Sequence, residues 1–71
     1  MNANDWLSAF AQRLETQPPT QAELDELLAL AGEAAHASER IAAPVACWLA
    51  AKAGVAPEAA LELARRMSEP S

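Results

Sequence analysis

The 71-residue sequence is short of the residue types on which most protein chemistry depends. It has one histidine, one cysteine, two glycines and no tyrosine, and aromatic residues make up only 4% of it. A lone cysteine cannot form an internal disulfide, and zinc sites take three or four His, Cys or acidic ligands. Two glycines are too few for a glycine-rich phosphate-binding loop. The composition therefore predicts no metal, no cofactor and no disulfide framework.

Basic residues are also scarce, since five Lys and Arg accompany ten Asp and Glu and the net charge is −5. No basic stripe is present that could neutralise nucleic-acid phosphates or lie on an anionic membrane. No apolar run approaches the ~20 residues that a bilayer crossing needs. Residues 1–5 lack the charged and apolar regions of a secretory signal. We therefore expect a cytoplasmic protein that binds neither nucleic acid nor membrane.

Alanine dominates what is present, with 19 of the 71 residues. It is the best helix former but supplies little apolar volume, so the core is expected to depend on the larger apolar side chains. Those expected in the core are Trp6, Leu7, Phe10, Leu14, Leu24, Leu27, Leu28, Val45, Trp48, Leu49, Leu63 and Met67. A chain of this length buries only about 60% of its surface. Either the helices approach closely through alanine faces, or a second copy or a partner covers the apolar surface that one copy leaves exposed.

Local signals in the first half of the chain predict two helices. Asn4 or Asp5 is expected to cap the first, and residues 17–19, Gln-Pro-Pro, to end it. Residues 20–23, Thr-Gln-Ala-Glu, match a capping box, in which each side chain accepts a hydrogen bond from the other residue's backbone amide. The second helix is therefore expected to begin there. Gly32 inside it indicates a close helix contact or a weak point.

The second half of the chain predicts two more helices. Residues 36–43 are open to two interpretations, because the second helix could continue through them or break near Ser38, which would then cap the third. Pro44 is tolerated only in the first turn of a helix, so the third helix is expected to begin beside it. Gly54 is placed to end this helix in the left-handed conformation. Pro57 is placed to open the fourth.

These signals together predict a single all-α domain over residues 1–71. The expected architecture is a compact array or bundle of four short helices, at about 5–15, 20–36, 43–53 and 57–67. An ion pair between Glu62 and Arg66, four residues apart, is expected on the last helix.

His36 and Arg40 form the candidate ligand-binding site. If the helix is continuous through this segment, Glu33, His36 and Arg40 share one face, and Arg40 could bind a carboxylate or phosphate in bidentate geometry. The structural interpretation is that Glu33 orients His36 while Arg40 pairs with Glu39 or Glu33, or caps carbonyl groups at a helix end. Such His/Arg pairs are common on helices, which favours the structural interpretation.

Three other residues invite a functional interpretation. Trp6 and Trp48 are interpreted mainly as core residues, although tryptophan is also a preferred interface anchor. Cys47 follows Ala46 and precedes Trp48 in an apolar helix, where a thiol behaves as a small apolar side chain and not as a nucleophile. No catalytic residue is predicted.

Three segments carry a family resemblance: Asp5-Trp6-Leu7, the stretch 35–44 around His36 and Arg40, and residues 48–54. Over about residues 5–67 the chain resembles a small bacterial domain of unknown function. That domain occurs free-standing or as a C-terminal extension of molybdenum cofactor guanylyltransferase, which makes molybdopterin guanine dinucleotide. The resemblance implies an accessory role in cofactor maturation and assigns no catalytic residue. His36, Arg40 and Pro44 match its pattern without a known role.

We therefore expect a non-enzymatic accessory or interaction module. Its expected partner is a molybdenum cofactor biosynthesis enzyme or a second copy of the chain, with Trp6 and Trp48 on the interaction surface. The alternative is a protein that binds a small anionic ligand, such as a nucleotide or a pterin phosphate, through His36 and Arg40. An enzyme is the least favoured class, because the titratable residues do not cluster.

Overall fold

A computed structural model describes residues 1–69 and contains four α-helices. These are α1 (Ala3–Arg13), α2 (Gln21–Ala37), α3 (Ala42–Lys52) and α4 (Pro57–Ser68). The predicted all-α class and the four helices are confirmed, and each end lies within two residues of its predicted place. No strand occurs within residues 1–69. The domain predicted over residues 1–71 includes residues 70 and 71, which lie outside the described residues.

The first helix is capped at both ends by residues other than the predicted ones. Asn2, and neither Asn4 nor Asp5, caps its start, and the Asn2 side-chain oxygen accepts a hydrogen bond of 2.8 Å from the amide of Asp5. The helix ends at Arg13, so the expectation that residues 17–19 end it was wrong.

A left-handed turn closes α1 in place of the prolines. Glu15 has a positive φ of 59°, and the amides of Glu15 and Thr16 donate to the carbonyls of Gln12 and Ala11. This pair of bonds is a Schellman motif, which satisfies carbonyls that the last turn of a helix leaves unpaired. Glutamate rarely adopts this conformation, which is why the sequence carries no obvious signal for it.

The capping box at the start of α2 is confirmed. The Thr20 hydroxyl accepts a hydrogen bond of 3.1 Å from the Glu23 amide, and the Glu23 carboxylate accepts one of 2.8 Å from the Thr20 amide. At its other end α2 stops at Ala37, so it breaks near Ser38 and does not continue. Ser38 does not cap α3, because Ile41 occupies the capping position and makes no side-chain cap bond.

Three further local predictions are confirmed, and one of the two interpretations of Gly32 is excluded. Gly54 has a φ of 74° after the end of α3, and Pro57 is the first residue of α4. Arg66 Nε lies 3.9 Å from a Glu62 carboxylate oxygen. A close helix contact at Gly32 is not formed, since no atom of another element lies within 4 Å of the place where its Cβ would be.

Helix α2 is the centre of the packed array. It contacts α3 and α4 extensively, whereas α3 and α4 touch each other at few points. Helix α1 stands apart, because none of its Cα atoms lies within 8 Å of a Cα atom in the other three helices. Leu7 and Ser8 of α1 line a small depression together with Pro18 and Pro19 of the linker and Leu24 at the start of α2. None of the helices described combines the length and apolarity that crossing a membrane requires.

The buried core is small and is built differently from the predicted one. Its central cluster consists of Leu30, Ala60 and Leu61, with Cys47 and Ala64 among the residues packed against it. Leu30 and Leu61 were not among the predicted core residues. Many of those that were are exposed, namely Trp6, Phe10, Leu14, Leu28, Val45, Trp48, Leu49, Leu63 and Met67. The inner helix faces are largely alanine, and close contacts between small residues leave the larger side chains at the flanks outside.

The core assignment is tested by two matched substitutions on α2. Leu30 is 3% exposed and Leu28 is 63% exposed. Leu30→Ala is expected to lower the free energy of unfolding by about 2–5 kcal/mol because it opens a cavity. Leu28→Ala is expected to lower it by no more than about 0.5 kcal/mol. Urea unfolding followed by circular dichroism measures both, and equal losses would contradict the assignment.

The capping box gives a second stability test. Thr20→Ala removes the acceptor for the Glu23 amide and is expected to lower the free energy of unfolding by about 1 kcal/mol. Thr16→Ala is the matched control, since that exposed threonine uses its backbone amide and makes no side-chain hydrogen bond within the described chain. A loss at Thr16 as large as that at Thr20 would contradict the capping role.

Candidate interaction surface

Helix α3 carries large apolar side chains on its outer face. Ile41, just before the helix, and Val45 and Trp48 within it recur at spacings of four and three residues, so they form one stripe. All three side chains are more than half exposed. We call these three residues the α3 stripe. On the opposite side of the helix, Cys47 and Ala50 pack against the core, so the small side chains of α3 point inwards and the large ones outwards.

The charge around the α3 stripe differs from that of the rest of the chain. α3 is the one helix of the four that contains no Asp or Glu, although the chain as a whole has a net charge of −5. Arg40 precedes the stripe and Lys52 ends the helix. The Lys52 ammonium lies 4.8 Å from the centroid of the Trp48 ring, a cation–π contact. The stripe is therefore an apolar surface with a cationic border.

A second apolar surface is the groove between α3 and α4. It encloses about 340 Å³, and Leu30 forms part of it together with Leu49, Leu63 and Met67. All ten residues that line it are apolar. We call it the α3–α4 groove. It exists because α3 and α4 both pack on α2 while making few contacts with each other.

A third apolar surface lies on α1. Trp6, Phe10 and Leu14 follow at intervals of four residues, and all three are exposed. The rings of Trp6 and Phe10 are stacked, with centroids 5.0 Å apart. We call these three residues the α1 face. Leu7 and Ala11 occupy the neighbouring side of the helix, and Ala11 is buried.

The two tryptophans are not core residues. Trp6 is 54% exposed and Trp48 is 57% exposed, so the core interpretation was wrong for both. Their predicted place on an interaction surface stays a prediction. Periodicity groups apolar residues on one face of a helix but carries no information on which faces are covered.

His36 and Arg40 lie on different elements. Because α2 ends at Ala37, Arg40 belongs to the turn before α3, and the stripe of Glu33, His36 and Arg40 on one continuous helix does not form. His36 borders a shallow depression with Glu33, Met67 and Ser68, and Arg40 takes no part in it. Both side chains are exposed. Within residues 1–69, Arg40 forms no ion pair with Glu33 or Glu39. The binding of an anion by these residues stays a prediction.

Cys47 lies at the junction of α2 and α3. Its thiol donates a weak hydrogen bond to the carbonyl of Leu27, with 3.8 Å between sulfur and oxygen. The side chain is partly buried, as a small apolar residue would be. In the described part of the chain, no three His, Cys, Asp or Glu residues are grouped so that they could hold a metal, and no charged side chain is buried.

These features define a small all-α domain with a minimal core and three exposed apolar surfaces. The sequence profile of a family described as a domain of unknown function, DUF6457, matches residues 1–70. The chain belongs to this family. Comparison of the chain with curated proteins and with solved structures found no match.

Thermal unfolding with GTP tests the prediction that His36 and Arg40 bind an anion. A nucleotide bound there at 100 times its dissociation constant is expected to add about 2.7 kcal/mol to the free energy of unfolding. His36→Ala and Arg40→Ala should each remove that stabilisation. Arg65→Ala, which removes an exposed arginine from α4, should retain it. No stabilisation by nucleotide or pterin phosphate, or equal stabilisation in all variants, would contradict the site.

Proposed function

We propose that this protein is a non-enzymatic interaction module whose α3 stripe binds a partner protein, and that the partner is a molybdenum cofactor guanylyltransferase. The observation that carries the proposal is the exposure of Ile41, Val45 and Trp48 on one face of α3. Soluble monomers expose single apolar residues commonly but expose contiguous apolar surfaces mainly where they bind something.

The composition of the α3 stripe suits a protein partner. A central aromatic residue with aliphatic neighbours and a polar border is the usual anatomy of an interface, and tryptophan is enriched among residues that dominate binding energy. Trp48 is the aromatic residue here, and its contact with Lys52 restricts the indole before binding. Restricting a side chain in the free protein reduces the entropy lost on association.

The charges near the stripe indicate what the partner surface is like. Arg40 and Lys52 stand at the two ends of a segment that contains no acidic residue. A complementary surface would be apolar at its centre and would carry carboxylates at its border, because opposite charges steer association and select the orientation. Binding of this kind weakens as salt screens the exposed charges.

The identity of the partner is supported by the resemblance of residues 5–67 to a domain that occurs both alone and as an extension of the guanylyltransferase. A domain fused to an enzyme sits at high effective concentration beside it, so even a weak contact is formed. Whether fused or separate, such a domain needs a binding surface for this contact. The exposed α3 stripe is such a surface.

The distribution of titratable groups supports an interaction role over a catalytic one. Catalytic acids and bases have their pKa values adjusted by burial and by close charged neighbours. In residues 1–69 no polar or charged side chain is buried, and the one recorded ion pair joins two exposed residues, Glu62 and Arg66. The described side chains lack the surroundings that acid–base chemistry uses.

Calorimetric titration of a guanylyltransferase with this protein tests the proposal. We expect micromolar binding that weakens when sodium chloride is raised from about 0.05 M to about 0.5 M. Trp48→Ala is expected to weaken binding about 30-fold or more, as for a hot-spot tryptophan. Trp6→Ala is the matched control, because Trp6 is equally exposed but lies on α1, and it should leave the affinity unchanged.

Two results would count against the proposal. An absence of binding at tens of micromolar would contradict the choice of partner. Binding that Trp48→Ala leaves intact would contradict the assignment of the α3 stripe, whichever partner is used.

A further inference from the structure

We propose that α1 of one chain binds in the α3–α4 groove of a second copy, so that two chains exchange their first helices in a symmetric dimer. The proposal concerns the α1 face and the groove, which are separate from the α3 stripe. It holds or fails independently of the partner proposed above.

The groove lies where a further helix of the array could pack between α3 and α4. α2, α3 and α4 pack as three members of an array, and α3 and α4 diverge enough to leave an apolar channel that the buried Leu30 helps to line. Half of the lining residues are alanine, including Ala46 and Ala50 on α3 and Ala64 on α4. Small side chains on the walls let another helix approach closely, as ridges of one helix fit grooves of its neighbours.

The α1 face is the complementary surface. Trp6 and Phe10 lie on one side of α1 and Leu14 follows at its C-cap, and all three side chains are about half exposed or more. An amphipathic helix binds a hydrophobic groove through apolar anchors at spacings of three and four residues. The α1 face supplies such anchors, and the leucine and methionine side chains of the groove supply their contacts.

The lining of the groove argues against a small metabolite as its occupant. Sites for small molecules combine apolar walls with a few polar groups that fix the orientation of the ligand. None of the ten lining residues has a polar side chain. A helix face needs no such group, because its own backbone hydrogen bonds are satisfied internally.

The α1 of a chain does not occupy its own groove, because none of its Cα atoms lies within 8 Å of a Cα atom in α3 or α4. Leu7 and Ser8 instead line a small depression with Pro18, Pro19 and Leu24. Consecutive prolines limit the conformations of the linker, and the Thr20 capping box fixes the place where α2 begins. A second copy can receive α1 in its groove while these contacts stay as they are.

The single chain exposes more surface than a folded monomer of its mass. Its accessible surface is 5691 Å² at 7.5 kDa, whereas folded monomers of that mass expose about 4,200 Å², roughly 1,500 Å² less, and this excess is larger than the area that one partner buries in a standard interface. A standard stable interface buries about 800 Å² per partner. Reciprocal exchange is isologous, since each chain gives one helix and receives one, and it closes as a two-fold dimer.

Sedimentation equilibrium with complementing variants tests the exchange. We expect the wild-type chain to dimerise, and Phe10→Lys on the α1 face or Leu63→Lys in the groove to raise the dimer dissociation constant about 30-fold or more. An equimolar mixture of the two variants should dimerise more tightly than either variant alone, because the intact α1 of the Leu63→Lys chain fits the intact groove of the Phe10→Lys chain, although the second α1–groove contact then carries both lysines. Both replaced side chains are about half exposed or more, so each variant should keep the wild-type circular dichroism spectrum.

Matched controls place a lysine on exposed positions outside the two surfaces. Gln12→Lys on α1 and Ala59→Lys on α4 should dimerise like the wild type. Each lysine makes the acidic chain less negative, so a loss of dimer cannot come from added charge repulsion. A monomeric wild type, dimers that persist in both single variants, or a mixture that stays monomeric would each overturn the proposal.

Discussion

The contact of Leu30 with Ala60 and Leu61 is the interaction on which the packed helices depend. Leu30 lies in the middle of α2, the helix that contacts both α3 and α4, and it is the most buried of the core residues. The faces that surround it are rich in alanine, so helix backbones come close and a few side chains fill the space between them. Without this one leucine, α3 and α4 would lose their common point of attachment.

An alanine-rich interior also determines where the remaining large side chains go. Close helix packing around small residues has no room for Val45, Trp48 or Leu63, which therefore lie on the flanks. A fold of this size gains little stability from its own core, and association with another chain adds to it in proportion to the affinity. The same feature thus accounts for the small core and the apolar exterior, and it supports the proposed interaction role.

The exterior divides into surfaces with different characters. The α3 stripe is bordered by Arg40 and Lys52 and suits a partner with carboxylates at its edge. The α1 face and the α3–α4 groove are both apolar and match each other in form. Two separate surfaces would let the chain assemble with itself and still bind an enzyme.

Local signals in the sequence predicted the helix boundaries well where one or two residues determine them. The Thr20 capping box, Gly54 and Pro57 act through their own backbone and neighbouring amides, so the remaining chain matters little to them. The Asn2 cap was not predicted because a second asparagine lies at residue 4 and was preferred. The left-handed conformation of Glu15 was not predicted because glutamate seldom takes a positive φ.

The core and the surface could not be predicted in the same way. Leu61 and Leu63 stand two residues apart on α4, and choosing which one faces α2 depends on the orientation of the whole helix. Leu63 was expected in the core, yet Leu61 is buried and Leu63 is not. The exposure of Trp6 likewise depends on how the linker holds α1, which no local pattern reports.

The fluorescence emission wavelength of single-tryptophan variants tests most directly whether these exposed apolar surfaces become covered. Trp48→Phe leaves Trp6 as the reporter of the α1 face, and Trp6→Phe leaves Trp48 as the reporter of the α3 stripe. We predict that Trp6 emission moves to shorter wavelength as the protein concentration rises, and that Trp48 emission does so when the guanylyltransferase is added. Emission that stays at the wavelength of a water-exposed indole in both experiments would contradict the claim that these surfaces are interfaces.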